Sequence, residues 1–178
     1  MIGEEMSEFI GSKRGAWDGD PRPLHLAPMS GVTDLPYRLL AKECGADVTI
    51  TEFTNSTALT REAATSWRRM ETHETEVPFI PQIFGGDPGD MATAAEMLAS
   101  AADIIDLNFG CPAPKVTNIC AGAALMGEPD RLVSMVETIV DRVDVPVTAK
   151  MRLGTGQRAN NSTEICKRLE AVGAQRLC

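Results

Sequence analysis

The chain has 178 residues, 43% of them apolar, 24% charged and 4% aromatic. That suffices for one globular domain with its own core and excludes a disordered, collagenous or coiled-coil chain. Acidic residues outnumber basic ones 25 to 17, a formal charge of -8, the sign opposite to that of a typical nucleic-acid binder. No apolar run approaches the roughly 20 residues of a membrane helix. The start Met1-Ile2-Gly3-Glu4-Glu5 lacks the apolar stretch of a secretory signal, so a cytoplasmic protein is expected. Lysine is scarce (Lys13, Lys42, Lys115, Lys150 and Lys167), a composition that would also suit concentrated salt. The cysteines Cys44, Cys111, Cys120, Cys166 and Cys178 are odd in number and show no CxxC spacing. Neither a disulfide framework nor a metal site is indicated.

Residues 1–22 are polar, punctuated by glycine and proline, and read as a flexible N-terminal arm. Residues 23–178 read as the domain. Its first apolar run, at 24–27, precedes a helical pattern in which Leu35, Leu39 and Leu40 share a face. Further short runs follow at 48–51 and 79–83. Asp87 then caps a helix with Pro88 in its first turn and Met91, Ala94, Ala95 and Leu98 on one side. After a run at 104–107, Pro129 opens a helix carrying Leu132, Val133, Val136, Ile139 and Val140. A run at 147–151 leads to a helix after Asn161-Ser162 with Ile165, Leu169 and Val172, and a last run spans 175–177.

Successive runs begin about 24 to 43 residues apart, the length of a βα unit. Apolar strands joined by helical crossovers make a parallel sheet covered on both faces. No G-x-G-x-x-G follows the first run, so the α/β class narrows to a (β/α)8 TIM barrel in preference to an open dinucleotide-binding sheet. A closed barrel takes roughly 200 residues at least. This chain supplies about five βα units and the start of a sixth strand. The barrel is therefore incomplete, and either the chain is a piece of a longer protein or a partner chain completes it.

In such folds the chemistry gathers beyond the C-terminal strand ends. Those positions hold 27–34, Thr51-Glu52, 81–86, 108–115 and 150–154. Gln82 follows an apolar stretch and needs a partner for its amide, either neighbouring backbone or a planar heterocycle. Lys150 ends a strand, where it could form a Schiff base, hold a phosphate, face a reduced cofactor or simply pair with Glu52. Cys111 lies in the turn Gly110-Cys111-Pro112, placed to give a proton or attack rather than to fill a core. Asn108, three residues earlier, is an amide suited to a substrate carbonyl. His25 and His73 form no Cys–His dyad with Cys111.

Five ordered segments resemble the flavin-dependent tRNA dihydrouridine synthase family: Leu26-Ala27-Pro28-Met29-Ser30-Gly31-Val32-Thr33-Asp34, Pro81-Gln82-Ile83-Phe84-Gly85, Asp106-Leu107-Asn108-Phe109-Gly110-Cys111-Pro112-Ala113-Pro114-Lys115-Val116, Ala121-Gly122-Ala123-Ala124-Leu125-Met126 and Val147-Thr148-Ala149-Lys150-Met151-Arg152-Leu153-Gly154. The resemblance implies an FMN-containing TIM barrel that reduces the C5=C6 bond of uridines in tRNA with electrons from NADPH or NADH. It implies that Ala27, Pro28 and Met29 lie along the flavin, that Gln82 and Lys150 bond its pyrimidine edge, and that Cys111 is the catalytic proton donor. Asn108 and Arg152 would lie near flavin or uracil, as substrate-binding residues. The barrel units and helical tRNA-binding domain that usually follow are absent from this chain. Where a Lys-Asn-Gly type of sequence is common, the chain has Thr117-Asn118-Ile119-Cys120. The rival functions are another flavin barrel acting on a small pyrimidine or enoate, and an inactive fragment.

Overall fold

Every strand pair among the described residues is parallel, as expected of strands separated by helical crossovers. A computed structural model describes residues 23–155 and 160–178; the arm assigned to residues 1–22 lies outside them. Strands β1 (His25–Leu26) and β2 (Val48–Thr49) form one pair. A five-stranded sheet follows in chain order: β3 (Thr54–Asn55), β4 (Gln82–Phe84), β5 (Ile105–Phe109), β6 (Val147–Met151) and β7 (Arg176–Leu177). The helices are α1 (Leu35–Glu43), α2 (Ser56–Thr60), α3 (Ala64–Arg68), α4 (Pro88–Ala99), α5 (Pro114–Thr117), α6 (Pro129–Val140) and α7 (Ser162–Ala171), with a 3-10 turn over Gly122–Gly127. No helix of the described residues is long and apolar enough to cross a membrane.

The two sheets adjoin where the third expected run begins. Thr51 N–H donates to the Ile80 carbonyl at 3.1 Å, and Gln82 N–H donates to Thr51 Oγ1 at 3.0 Å. On the other side, Asp103 and Asp106 donate to the carbonyls of Phe79 and Pro81. Pro81 has no N–H to return, so the ladder is interrupted and β4 begins at Gln82, later than the run 79–83 suggests. β3, α2 and α3 were not anticipated, because 52–68 has no apolar run. α2 rests on local capping instead, with Asn55 Oδ1 accepting Ala58 N–H at 3.0 Å, while β3 pairs with β4. The described sheets do not close into a barrel. Even so, the curl is visible: Arg176 Nη1 on β7 lies 3.1 Å from both ring nitrogens of His25 on β1.

The helices cover one face. Met91, Ala94, Ala95 and Leu98 of α4 join Leu132, Val133, Val136 and Ile139 of α6 and Ile165 and Leu169 of α7 in the core. Ile105, Leu107 and Phe109 of β5 meet them there. Asp87 Oδ1 caps α4 by accepting Asp90 N–H at 2.8 Å, with Pro88 in the first turn, as the sequence suggests. The pleat sends Asp106 and Asn108 to the opposite face, since neighbouring side chains alternate.

The expected apolar face of α1 does not hold. Leu40 is 56% exposed, and the buried residue of that helix is Arg38. Leu40, Tyr37 and Leu24 border a groove beside β1, which among the described residues pairs only with β2. Arg38 reaches Glu76 through two bonds, Nε–Oε1 at 2.5 Å and Nη2–Oε2 at 3.1 Å. It also donates to the carbonyls of Thr33 and Glu71, while Thr49 and Thr72 donate to the same carboxylate. Every charge is met, so this buried pair ties α1 to β2 and to the segment before Val77. Replacing Arg38 by Met strands the Glu76 carboxylate and should cost about 3–5 kcal/mol. Urea unfolding should show the Arg38→Met, Glu76→Leu double variant losing clearly less than that single variant.

Candidate active site

The site forms because β5 and β6 pair in full register. Asp106 faces Thr148, Asn108 faces Lys150, and β4 sets Gln82 opposite Asp106. Residues paired in a parallel ladder point to the same face, so these side chains and Arg176, opposite Thr148 on β7, form a polar layer on the side away from the helices. Buried polar groups must find partners, and here they find one another. Gln82 Nε2 donates to Asp106 Oδ2 at 2.5 Å, and Thr148 Oγ1 donates to Asp106 Oδ1 at 2.5 Å. Asn108 Nδ2 donates to Gln82 Oε1 at 2.9 Å. Gln82 is thus paired to side chains, not to neighbouring backbone.

Just past β5 the chain turns on Asn108. Its Oδ1 accepts the N–H of Gly110 at 3.1 Å and of Cys111 at 2.9 Å. Cys111 is half-buried in that turn, and its carbonyl accepts Ala123 N–H at 3.0 Å. The returning chain presses close. Gly122 has φ +58°, and a Cβ there would lie 2.7 Å from the Cys111 carbonyl oxygen and 2.7 Å from Val116 Cγ1. Cys120, just before it, also has positive φ (52°), an unusual conformation for a residue with a Cβ. Gly86 abuts the Ile119 carbonyl, so the loops after β4 and β5 touch. The loop after β6 joins them, with Arg152 Nη1 3.5 Å from the Gly110 carbonyl.

Lys150 is half-buried and makes no hydrogen bond among the described residues. Its charge acts instead on Asp106. The alternative pairing of Lys150 with Glu52 is not present. Glu52 accepts Gly31 N–H and faces Arg69 Nε at 3.9 Å. Glu52 is a residue the sequence marked by position but not by role. It anchors the loop after β1, which also winds upon Met29 through Thr33, Met29 N–H donating to Thr33 Oγ1 at 3.0 Å. Ala27, Pro28 and Lys150 line one cavity of about 170 Å³ with His25, Asp106 and Arg176. Met29 stands 39% exposed at the same loop. Cys111 and Lys150 therefore lie at the same end of adjacent strands, with Ala27 and Pro28 sharing Lys150's cavity. Arg152 belongs to the rim.

Asp106 carries no local signal in the sequence, because it sits inside an apolar run. Burial pushes its carboxyl above the usual range, and the bonds from Thr148 and Gln82 and the charges of Arg176 and Lys150 pull the other way. His25 is lowered, first by burial and then by Arg176, with Asp47 acting in opposition.

A parallel sheet curling toward closure, with its polar side chains gathered at the C-terminal strand ends, defines an α/β fold of the barrel type. A family model described as dihydrouridine synthase (Dus) matches residues 25–178, and the chain belongs to that family. A probable tRNA-dihydrouridine synthase of Rhizobium leguminosarum bv. phaseoli is 45% identical over 151 residues, 84% of this chain and 47% of that protein. One of Rhodobacter capsulatus is 41% identical over 158 residues, 88% of this chain and 48% of the relative. The tRNA-dihydrouridine synthase B of Escherichia coli K12 is 42% identical over 152 residues, 85% of this chain and 47% of the relative. The chain thus spans about half the length of the curated relatives it matches.

Two outcomes test this geometry. Gly122→Ala should cost about 1–3 kcal/mol, because it combines positive φ with two close contacts, and should change the alkylation rate of Cys111 relative to exposed Cys44. Unfolding in urea and site-resolved thiol labelling measure both. Because the folded pKa of His25 is lowered, its contribution to stability is full above the ordinary imidazole pKa and is lost as pH falls through the folded value. Arg176→Gln should raise the NMR titration midpoint of His25 and flatten that acid-side loss.

Proposed function

We propose that this chain supplies the catalytic face of a tRNA dihydrouridine synthase, an FMN-dependent oxidoreductase that reduces the C5=C6 bond of uridine in tRNA. The observation that carries the reading is the register of Asn108 with Lys150, combined with the bond from Cys111 N–H to Asn108 Oδ1. Together they bring a thiol and an ammonium group to one strand end. The donor set suits a flavin: an apolar wall that includes Ala27, Pro28, Ile50 and Ile80, and a half-buried ammonium without a hydrogen-bond partner among the described residues. When bound, FMN recharged by NADPH or NADH supplies hydride for uracil C6.

The chain's own residues do the rest. Lys150 offers its charge to the electron-rich pyrimidine edge of the ring. Gln82, already bonded once at each end of its amide, keeps one Nε2 hydrogen and one Oε1 lone pair for that edge. Ala27, Pro28 and Met29 form the surface along which the ring lies. The Cys111 thiol gives its proton to uracil C5 and takes another from solvent, which its half-buried position permits. Asn108 holds the turn that aims the thiol, and Arg152 lies by the base. A uridine must leave its stack to enter such a mouth.

Leu24 beside β1, Leu40 on α1 and Leu153 in the loop after β6 are 61%, 56% and 75% exposed. Apolar surface there supports closure by further strands, either on the same polypeptide, with a helical domain to grip tRNA, or on a partner chain. The 178-residue chain alone should therefore retain FMN well below one per chain, read from the flavin absorbance of the purified protein. A stoichiometric yellow protein would contradict this. In an enzyme assembled from this chain and the barrel units that follow the matched region in its longer relatives, Cys111→Ala should lower dihydrouridine formation about 10²–10⁴-fold. Flavin binding should stay unchanged. Mass spectrometry of the tRNA nucleosides decides, and undiminished turnover would refute the proton-donor role.

A further inference from the structure

We infer that Asp106 is a positioning residue that sets, through Gln82 and Asn108, the conformation of the Gly110-Cys111 turn. Its functional meaning rests on the reading of Cys111 as proton donor; its geometry does not. A carboxamide has a donating end and an accepting end and can be turned either way. Gln82 and Asn108 are 0% and 6% exposed, so solvent does not choose for them. Both oxygens of the Asp106 carboxyl act as acceptors here. With Thr148 Oγ1 donating to its Oδ1, the Oδ2 of Asp106 takes Gln82 Nε2. Gln82 Oε1 must then face Asn108 and accept from Nδ2, which leaves Asn108 Oδ1 for the N–H groups of Gly110 and Cys111.

The chain of bonds has a single polarity from one end to the other. Were Gln82 reversed, its oxygen would face the carboxylate and its NH2 would face Asn108 Nδ2. Asn108 would then have to reverse as well, and both turn amides would lose their acceptor. Three strands hold the chain in place, because Gln82 pairs with Asp106 and Asp106 with Thr148 in register. Burial pushes the Asp106 carboxyl up, and the bonds from Thr148 and Gln82 and the charges of Arg176 and Lys150 oppose that shift. Asp106 thus acts through two intervening side chains, Gln82 and Asn108, on the turn that holds the thiol.

The test is amide hydrogen exchange in the 178-residue chain, read at Gly110 and Cys111 with Ile105 and Leu107 of β5 as internal references. Asp106→Ala should speed exchange at both turn amides by about tenfold or more, while the references hold. Asp106→Asn should stay within about threefold of the parent, because its oxygen can still accept from Gln82 while its NH2 donates to Thr148 Oγ1. Unchanged turn amides in the alanine variant overturn the inference. So does equal acceleration by alanine and asparagine, or a loss spread evenly over β5. Should Asp106→Ala fail to fold, Gln82→Met cuts the chain one link further on, with the same outcomes deciding. Exchange needs neither flavin nor RNA, so this result is independent of the activity of Cys111→Ala.

Discussion

The parallel register of β5 on β6 is the constraint from which the site follows. Five consecutive pairs, from Ile105 with Val147 to Phe109 with Met151, leave no freedom as to which residues meet. A slip of one residue would send Asp106 and Asn108 into the helix-covered core and Ile105, Leu107 and Phe109 to the polar side. The apolar side fixes the register because burial of those three residues against α4, α6 and α7 is strongly favourable. The packing face thereby dictates the geometry of the chemical face.

That chemical face is costly to build. Gln82, Asp106, Asn108 and Thr148 are all buried, and each would destabilise the fold if left unpaired. The solution is a closed set of bonds with a defined direction, ending on backbone N–H groups of the turn that holds Cys111. The Arg38–Glu76 pair, which also takes a bond from Thr49 of β2, applies the same principle. It braces Thr33 behind the loop that Glu52 holds through Gly31. Buried charge appears in this chain where a loop beyond a strand must be held still.

Much of the fold was legible because the signals were local. Asp87 with Pro88 announces α4 through cap chemistry within four residues, and the alternation of apolar runs with 3.6-residue periodicity announces a parallel α/β fold. The site's location was legible too, since Gln82, Asn108, Cys111 and Lys150 each follow an apolar run. What failed depended on partners distant in sequence. Arg38 displaces Leu40 from the buried face of α1 because Glu76, 38 residues on, is waiting for it, and no periodicity encodes that. An ion pair with Glu52 is one of the alternatives open to Lys150, yet Glu52 serves Gly31 and faces Arg69. The amide of Gln82 was read as facing backbone or a ligand, whereas Asp106, concealed in an apolar run, claims it. α2 begins on a single cap at Asn55, β3 pairs with β4 over only two residues, and neither has an apolar signature.

The central claim is that Cys111 and Lys150 converge. In a Cys120→Ser, Cys178→Ser background, which removes the exposed thiol that shares the Lys150 cavity, a Lys150→Cys substitution places a new thiol on the neighbouring strand. A bifunctional thiol reagent spanning roughly 10 Å should link it to Cys111, given the strand spacing and the three-residue step beyond Asn108. Peptide mapping should find that link well ahead of any between position 150 and Cys44. If both thiols react singly with a monofunctional reagent yet no link between positions 111 and 150 forms, the two groups do not share a site and the account fails.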